Sequence, residues 1–221
     1  MNQPTPFPRQ TPILFDETPA ETEDREGFRV VLRYEHEGGG PFLIDLSHRP
    51  KWAIQDPLLS RIRPHRMDLP ESPDACTLQN GFLLLRLTEY HAQLWQLFGP
   101  SPEMPNAFPY TDMTDGNILL ALMGRDIPAI LEKAAPLDLW KPEQPLPRVV
   151  QGPVFDIPSI LAVLEHNPTH SIVLLACGRS YGQSMAENLL KTGEGWKMRP
   201  AGERMFTNWG VETENASDSE E

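Results

Sequence analysis

The sequence predicts an α+β protein of two similar strand–helix subdomains with disordered acidic tails, and three observations predict it. First, strand-like and helix-like pieces alternate through the middle of the 221-residue chain. Such alternation marks mixed folds, and by itself it leaves α/β open as the other class. Second, 39% of the residues are apolar, which is enough for one domain or two small ones with a real core. Third, the net charge of −12 is concentrated at the ends. Residues 1–27 hold two Arg and six acids, residues 211–221 hold five acids and no base, and 28–210 carry a net of only −3. The expected organisation is a Pro-rich acidic arm over 1–27, a folded region over 28–209 and an acidic tail over 210–221.

Each element has its own reason. The first 27 residues contain five prolines and little apolar periodicity, so they read as a disordered or extended arm. Phe7, Ile13, Leu14 and Phe15 are its anchors for wrapping a partner. "FRVVLRY" (28–34) alternates like a half-buried strand, and "EGGGP" is a turn. "FLIDLS" and "KWAIQ" read as strands and "PLLSRI" as a short helix. "GFLLLRLT" (81–88) is a strand, followed by an expected helix "EYHAQLWQLF" (89–98) whose Leu94, Trp95, Leu97 and Phe98 form a core face. The proline-rich stretch 99–110 is the candidate division between the two halves. Next come the strand "NILLALMG" (117–124), the helix "RDIPAILEKAA" (125–135) and the strand "RVVQGPVFDI". An expected helix "PSILAVLEH" has proline near its first turn. The strand "SIVLLAC" leads into a last helix that begins near Tyr181.

Composition excludes several functions. An acidic chain has no general attraction for nucleic acid, because phosphate affinity rests on clustered Lys and Arg. Cys76 and Cys177 cannot build a disulfide framework or a four-thiolate metal site. No basic n-region precedes an apolar h-region, and the apolar runs are shorter than the 18 or so residues of a membrane span. A soluble, cytoplasmic protein is expected.

The sharpest motif is Gly178-Arg179-Ser180-Tyr181-Gly182, which fits G-x-S-x-G between an apolar run and a helical pattern. A hydrolase of that design needs a histidine after the serine, and the last histidine is His170. Ser180-x-x-Gln183 instead has the form of a capping box, which is the favoured reading. An anion site at the helix start, with Arg179 supplying charge, is a third. His48, Arg49, Lys51, Arg61, Arg63, His65 and Arg66 form a basic segment with Trp52 inside it. It could meet an acidic partner or a polyanionic cofactor tail, or it is an ordinary solvated face. His166 and His170 are separated by Asn167-Pro168, which breaks a helical metal pair. Asp112 and Asp115, with Thr111 and Thr114, suit either acid–base chemistry or turn formation. There is no G-x-G-x-x-G and no P-loop.

Three segments in order resemble the glycine-cleavage aminomethyltransferase-like, folate-binding superfamily. "FLIDLSHRPKWAIQDP" resembles its early strand–turn–strand with an Asp-x-Ser-His step. "YTDMTDGNILLALMGRDIPAILEKAAPLDLW" resembles a later strand and helix. "GRSYGQSMAENLLKTGEGWKMRPAGERMF" resembles a helix leading into an Arg-Pro-Ala-Gly step. The set covers most of 42–206 and resembles in particular the gamma subunit of heterotetrameric sarcosine oxidase. Arg125 departs from the superfamily, where proline usually follows the glycine, and neither Asp45 nor Asp112 matches its catalytic aspartate. The resemblance implies a non-catalytic gamma-type subunit of a sarcosine or N-methyl amine oxidase or demethylase, with no cofactor on this chain. FAD or FMN, NAD and tetrahydrofolate would lie on partner chains, and the partners would be larger flavoprotein subunits. The alternative is a stand-alone tetrahydrofolate-binding one-carbon transferase. The candidate ligand or partner contacts are His48, Arg49, Lys51, Trp52, Arg179, Ser180 and Tyr181. No catalytic or metal residue is expected.

Overall fold

The computed structural model describes residues 9–105 and 108–217; Phe7 of the expected arm anchors lies outside them. The α+β class holds. Thirteen strands and three α-helices are present among the described residues. β1 (Pro19–Arg25) and β2 (Phe28–Tyr34) form an antiparallel hairpin. Glu26 and Gly27 both take positive φ, 52° and 82°, as a two-residue turn that follows strand twist requires.

The remaining strands make two sheets. The six-stranded sheet has the order β10 (Arg148–Val154), β11 (Ile157–His166), β12 (Ser171–Gly178), β9 (Asn117–Met123), β3 (Phe42–Asp45) and β13 (Arg199–Ala201). Its pairs are antiparallel except β13 with β3. The five-stranded sheet runs β5 (Cys76–Gln79), β6 (Phe82–Arg86), β7 (His91–Gln96), β4 (Lys51–Gln55) and β8 (Tyr110–Asp112), all antiparallel. The helices are α1 (Ile127–Ala134), α2 (Gly182–Gly193) and α3 (Glu203–Ser217).

Alternation along β9 sets the layers, since successive side chains of a strand face opposite ways. Ile118, Leu120 and Leu122 pack with Ile130 and Leu131 of α1 and with Met185 and Leu189 of α2. Leu119, Ala121 and Met123 pack with Leu83, Leu85, Trp95 and Leu97 of the second sheet and with Phe206 of α3. The outer face of the second sheet, Trp52, Ile54, Leu84 and Leu94, is covered by Leu59 and Met67. The order is therefore helices, sheet, sheet, irregular cover.

Two expected helices are strands. Residues 91–96 form β7, and 157–166 form β11. Each is a central strand buried on both faces. Leu161 and Val163 of β11 meet the helix-side core while Ala162 and Leu164 meet the inter-sheet core. A strand buried on both sides reads as one continuous apolar run, which periodicity cannot tell from a helix. Turn chemistry decides it: Phe155 and Asp156 take φ 48° and 63° and close β10 onto β11. Leu94, Trp95 and Leu97 are buried as expected, but on two faces of a strand, and Phe98 is only partly buried. "PLLSRI" forms a single 3₁₀ turn, Leu59–Arg61. Strands β1, β5, β8 and β13 carry no strong sequence pattern. The proline-rich connection after β7 leads to β8 in the same sheet. The backbone of α3 continues to Ser217, inside the acidic segment.

The described part of the arm is extended and docked. Arg9 bridges to Phe28 and its guanidinium lies 4.2 Å from that ring and pairs with Asp115. Ile13 is buried in the helix-side core and Leu14 is exposed. Gly182 permits this passage. A Cβ there would meet Ile118 Cγ2 at 2.7 Å and Pro12 Cγ at 3.0 Å.

Candidate functional site

The chain crosses from one sheet to the other between β3 and β4, and that crossing concentrates the buried polar residues. The Ser47 amide donates to Asp45 Oδ1 at 2.9 Å, an Asx-type turn. Leu46 N donates to Leu119 O at 2.8 Å and Leu119 N to Ser47 Oγ at 3.2 Å, which fastens the loop to β9. Ser47, His48, Arg49 and Lys51 are all at most 5% exposed. His48, Arg49 and Lys51 are thus interior groups, a correction to their reading as part of a solvated or partner-facing basic segment. Arg61, Arg63 and Arg66 of that segment are exposed.

Across from this loop stands Glu203, the first residue of α3 and 2% exposed. Its Oε1 accepts from Arg49 Nε at 2.7 Å, from Arg25 Nη1 at 3.0 Å and pairs with His48 Nε2 at 3.0 Å, and its Oε2 accepts from Arg25 Nη1 at 2.8 Å. Arg25 also pairs with Glu23. Burial alone would raise the Glu203 carboxyl. The hydrogen bond and charge of His48, with Arg49 and Arg25, outweigh it and bring the pKa to about 2. Burial lowers Arg49 in spite of Glu203, so part of the carboxylate's gain is offset on its partner. Gly202 brings Glu203 this close. A Cβ at Gly202 would lie 2.2 Å from Leu32 O, and its amide donates to Glu37 Oε1 at 2.7 Å. The glycine of the Arg-Pro-Ala-Gly step is therefore where the start of α3 abuts β2.

Lys51 is fully buried. Its Nζ donates to Ser47 O at 2.9 Å and Arg49 O at 2.8 Å, and its amide to Thr114 Oγ1 at 3.1 Å. Burial depresses its pKa to about 7, against the pull of Asp45, Asp112 and Asp115. Trp52 is buried on the other face of β4 and stacks on His65, centroids 5.4 Å apart, which in turn stacks on Phe82 at 4.4 Å. It is not a surface contact.

Beside the crossing lies a cavity of about 560 Å³, bounded by the arm from Gln10 to Phe15, by the β1–β2 hairpin and by Asp45, His48 and Ala201. Tyr34 lines it, with its ring edge-on to Phe15 at 6.2 Å. Burial, then the charges of Asp45, Glu37 and Glu17, push the Tyr34 phenol upward. Sequence reading did not single out Glu203, Arg25 or Tyr34. Asp45 was weighed only as a catalytic aspartate.

Arg179, Ser180 and Tyr181 form a 3₁₀ turn before α2. The capping box does not form. Neither helix start carries a side-chain cap, and Gln183 instead exchanges two hydrogen bonds with the Leu14 backbone, at 2.8 and 3.1 Å. The Arg179 guanidinium donates to Gln10 O, so both residues hold the arm. Tyr181 is 48% exposed. His166 pairs with Ser171 at the far end of β12, roughly 25 Å of strand from Ser180, so neither it nor His170 can serve as the base of Ser180. The Thr114 amide donates to Asp112 Oδ1 at 2.8 Å, which is turn chemistry. Among the described residues no group of three or more His, Cys, Asp or Glu is placed to hold a metal, and no helix is long and apolar enough to cross a membrane.

No known protein-family model and no curated protein matches the chain. Its fold is similar to that of a chain in the heterotetrameric sarcosine oxidase from Corynebacterium sp. U-96, solved in complex with pyrrole 2-carboxylate. The TM-score is 0.55 at 16% identity, and the match covers 69% of this chain and 83% of that one. At that identity the likeness is one of fold.

Proposed function

We propose that this chain is a non-catalytic, gamma-type subunit that supports assembly of a multi-subunit flavin-dependent oxidase or demethylase acting on sarcosine or another N-methyl amine. The fold shared with a chain of a heterotetrameric sarcosine oxidase carries this reading. The self-pairing of the polar cluster supports its non-catalytic half: the Glu203 oxygens are taken up by Arg25, His48 and Arg49. A general base must be free to reach a substrate proton, and a carboxylate held near pKa 2 by three neighbours is a poor one. Flavin, NAD and tetrahydrofolate are assigned to partner chains, and larger flavoprotein subunits are the partners.

Expression of the chain alone and with its native companions tests this. The isolated chain is expected to be free of flavin absorbance and of amine-dependent oxygen consumption, and to co-purify with larger flavoprotein chains from its native extract. Turnover by the isolated chain that is abolished by neutralising one of its own side chains would overturn the proposal. Saturable micromolar binding of tetrahydrofolate would favour the one-carbon transferase reading instead.

A further inference from the structure

We propose that the cavity between the arm and the β1–β2 hairpin is a binding site for a small organic cation with an apolar body. Its volume of about 560 Å³ falls within the roughly 300–1,000 Å³ of small-molecule pockets. The walls are largely apolar: Ile13, Leu14 and Phe15 on the arm and Val30 and Val31 on β2 line the space. Ile13 and Val30 are buried, so this wall belongs to the packed fold.

The head-group end is acidic. Asp45 lines the cavity and accepts from the Ser47 amide through Oδ1. A carboxylate offers about four acceptor sites on its two oxygens, so Asp45 can take a further donor beside the Ser47 amide. Tyr34 is 7% exposed, and after burial the charges of Asp45, Glu37 and Glu17 act on its phenol, which places these carboxylates near this end of the cavity. The aromatic rings of Tyr34 and Phe15 meet edge-on here, and aromatic faces attract cations further. Two neighbouring bases are engaged elsewhere: His48 Nε2 with Glu203, and Lys51 Nζ with the Ser47 and Arg49 carbonyls. Arg29, the one guanidinium on the lining, is exposed and stands opposite Asp24 in the hairpin register. An ammonium or amidinium at Asp45 with a hydrocarbon body between β2 and the arm satisfies both regions. A carboxylate ligand would meet the acidic end unpaired.

This inference is independent of membership in a complex, and its test needs no partner chain. The full chain is titrated by calorimetry with 2-phenylethylamine, 2-phenylethanol and phenylacetate, which share an apolar body and differ in head-group charge. Saturable one-site binding of the amine is expected, weaker binding of the alcohol and none of phenylacetate. Asp45→Asn keeps an acceptor for the Ser47 amide while removing the charge, and is expected to weaken the amine about tenfold. Val31→Trp fills the space from the hairpin side and is expected to abolish binding while the thermal transition persists. Absence of saturable amine binding, phenylacetate binding as tight as the amine's, or amine affinity unchanged by Asp45→Asn or by Val31→Trp each overturns the proposal.

Discussion

Glu203→Gln isolates the electrostatics of the sheet crossing. The side chain keeps its size and loses its charge, which leaves Arg49, 4% exposed, without its anionic partner. Geometry adds a second loss. Oε1 takes three partners and Oε2 a fourth contact from Arg25, so whichever way the amide is turned, its N–H₂ confronts a donor. Removing one partner of a buried pair costs about 3–5 kcal/mol, and at roughly 2–4 °C per kcal/mol for a chain of this size the melting point should fall by about 10 °C. The pH profile separates this from simple packing damage. The folded-state pKa of about 2 lies below the ordinary 4.5. The carboxylate's contribution is therefore present above about pH 4.5 and is lost as pH falls toward about 2. The shift corresponds to at most about 3 kcal/mol, reduced by the burial of Arg49. Urea unfolding followed by tryptophan fluorescence across pH 3–7 measures both effects. A loss under about 1 kcal/mol, or an acid dependence in Glu203→Gln equal to that of the parent, would refute the reasoning.

Three further outcomes follow from the same geometry. Lys51 has a folded-state pKa near 7 against an ordinary 10.5, so the unfolded chain binds more protons between those values and stability should rise with pH across them, by about 5 kcal/mol at most; urea titrations of the parent and of Lys51→Met test this, and a rise that persists in the variant defeats it. Gly182→Ala, at the first position of α2, gains less than the about 1 kcal/mol of helix propensity of an interior site and drives a methyl into Ile118 and Pro12, so a net loss with faster amide exchange at residues 9–15 is expected, and a stabilised protein with an unchanged arm would contradict the packing. Ser180→Ala should change stability by no more than about 0.5 kcal/mol, because the serine is exposed and caps no helix; a loss of 1 kcal/mol or more would restore the capping box.

Sequence patterning was most informative where one physical signal acted alone. β2 and β9 were legible from apolar patterning, and α1 and α2 from amphipathic spacing after a turn. β7 and β11 were not, because each is buried on both faces and its apolar run is ambiguous. The two-residue turn at Phe155 and Asp156 was the available signal, but only Asp156 is a common turn residue, and Phe155 takes a left-handed conformation that its residue type does not announce. β1 was hidden by its composition, since "PAETEDR" reads as solvated and becomes a strand only because β2 offers an edge. The candidate site shows the same limit. His48, Arg49 and Lys51 were visible as charges close together, but their burial was not, because the balancing acid, Glu203, is 154 residues from Arg49 along the chain. Only the glycine before Glu203 hinted at a close approach. Gln183 was expected to complete a cap, with an anion site at Arg179 as the third reading of the same turn. Both hold the arm instead, a long-range contact that local spacing cannot encode.

The placement of these charges bears on function. A buried ion-pair cluster is seldom a source of net stability, because desolvation offsets most of the attraction. What it does supply is registration. Glu203 ties α3 to the sheet crossing, Arg25 ties the hairpin to both, and Gly202 sets the separation. The hairpin, the docked arm and the crossing then frame one cavity whose walls come from three separate stretches of chain. The Glu203 carboxylate at the centre of the ion-pair cluster stays charged across the neutral range. The amine titration tests that cavity and the co-purification experiment tests the proposed assembly, so the two probe separate properties of the chain.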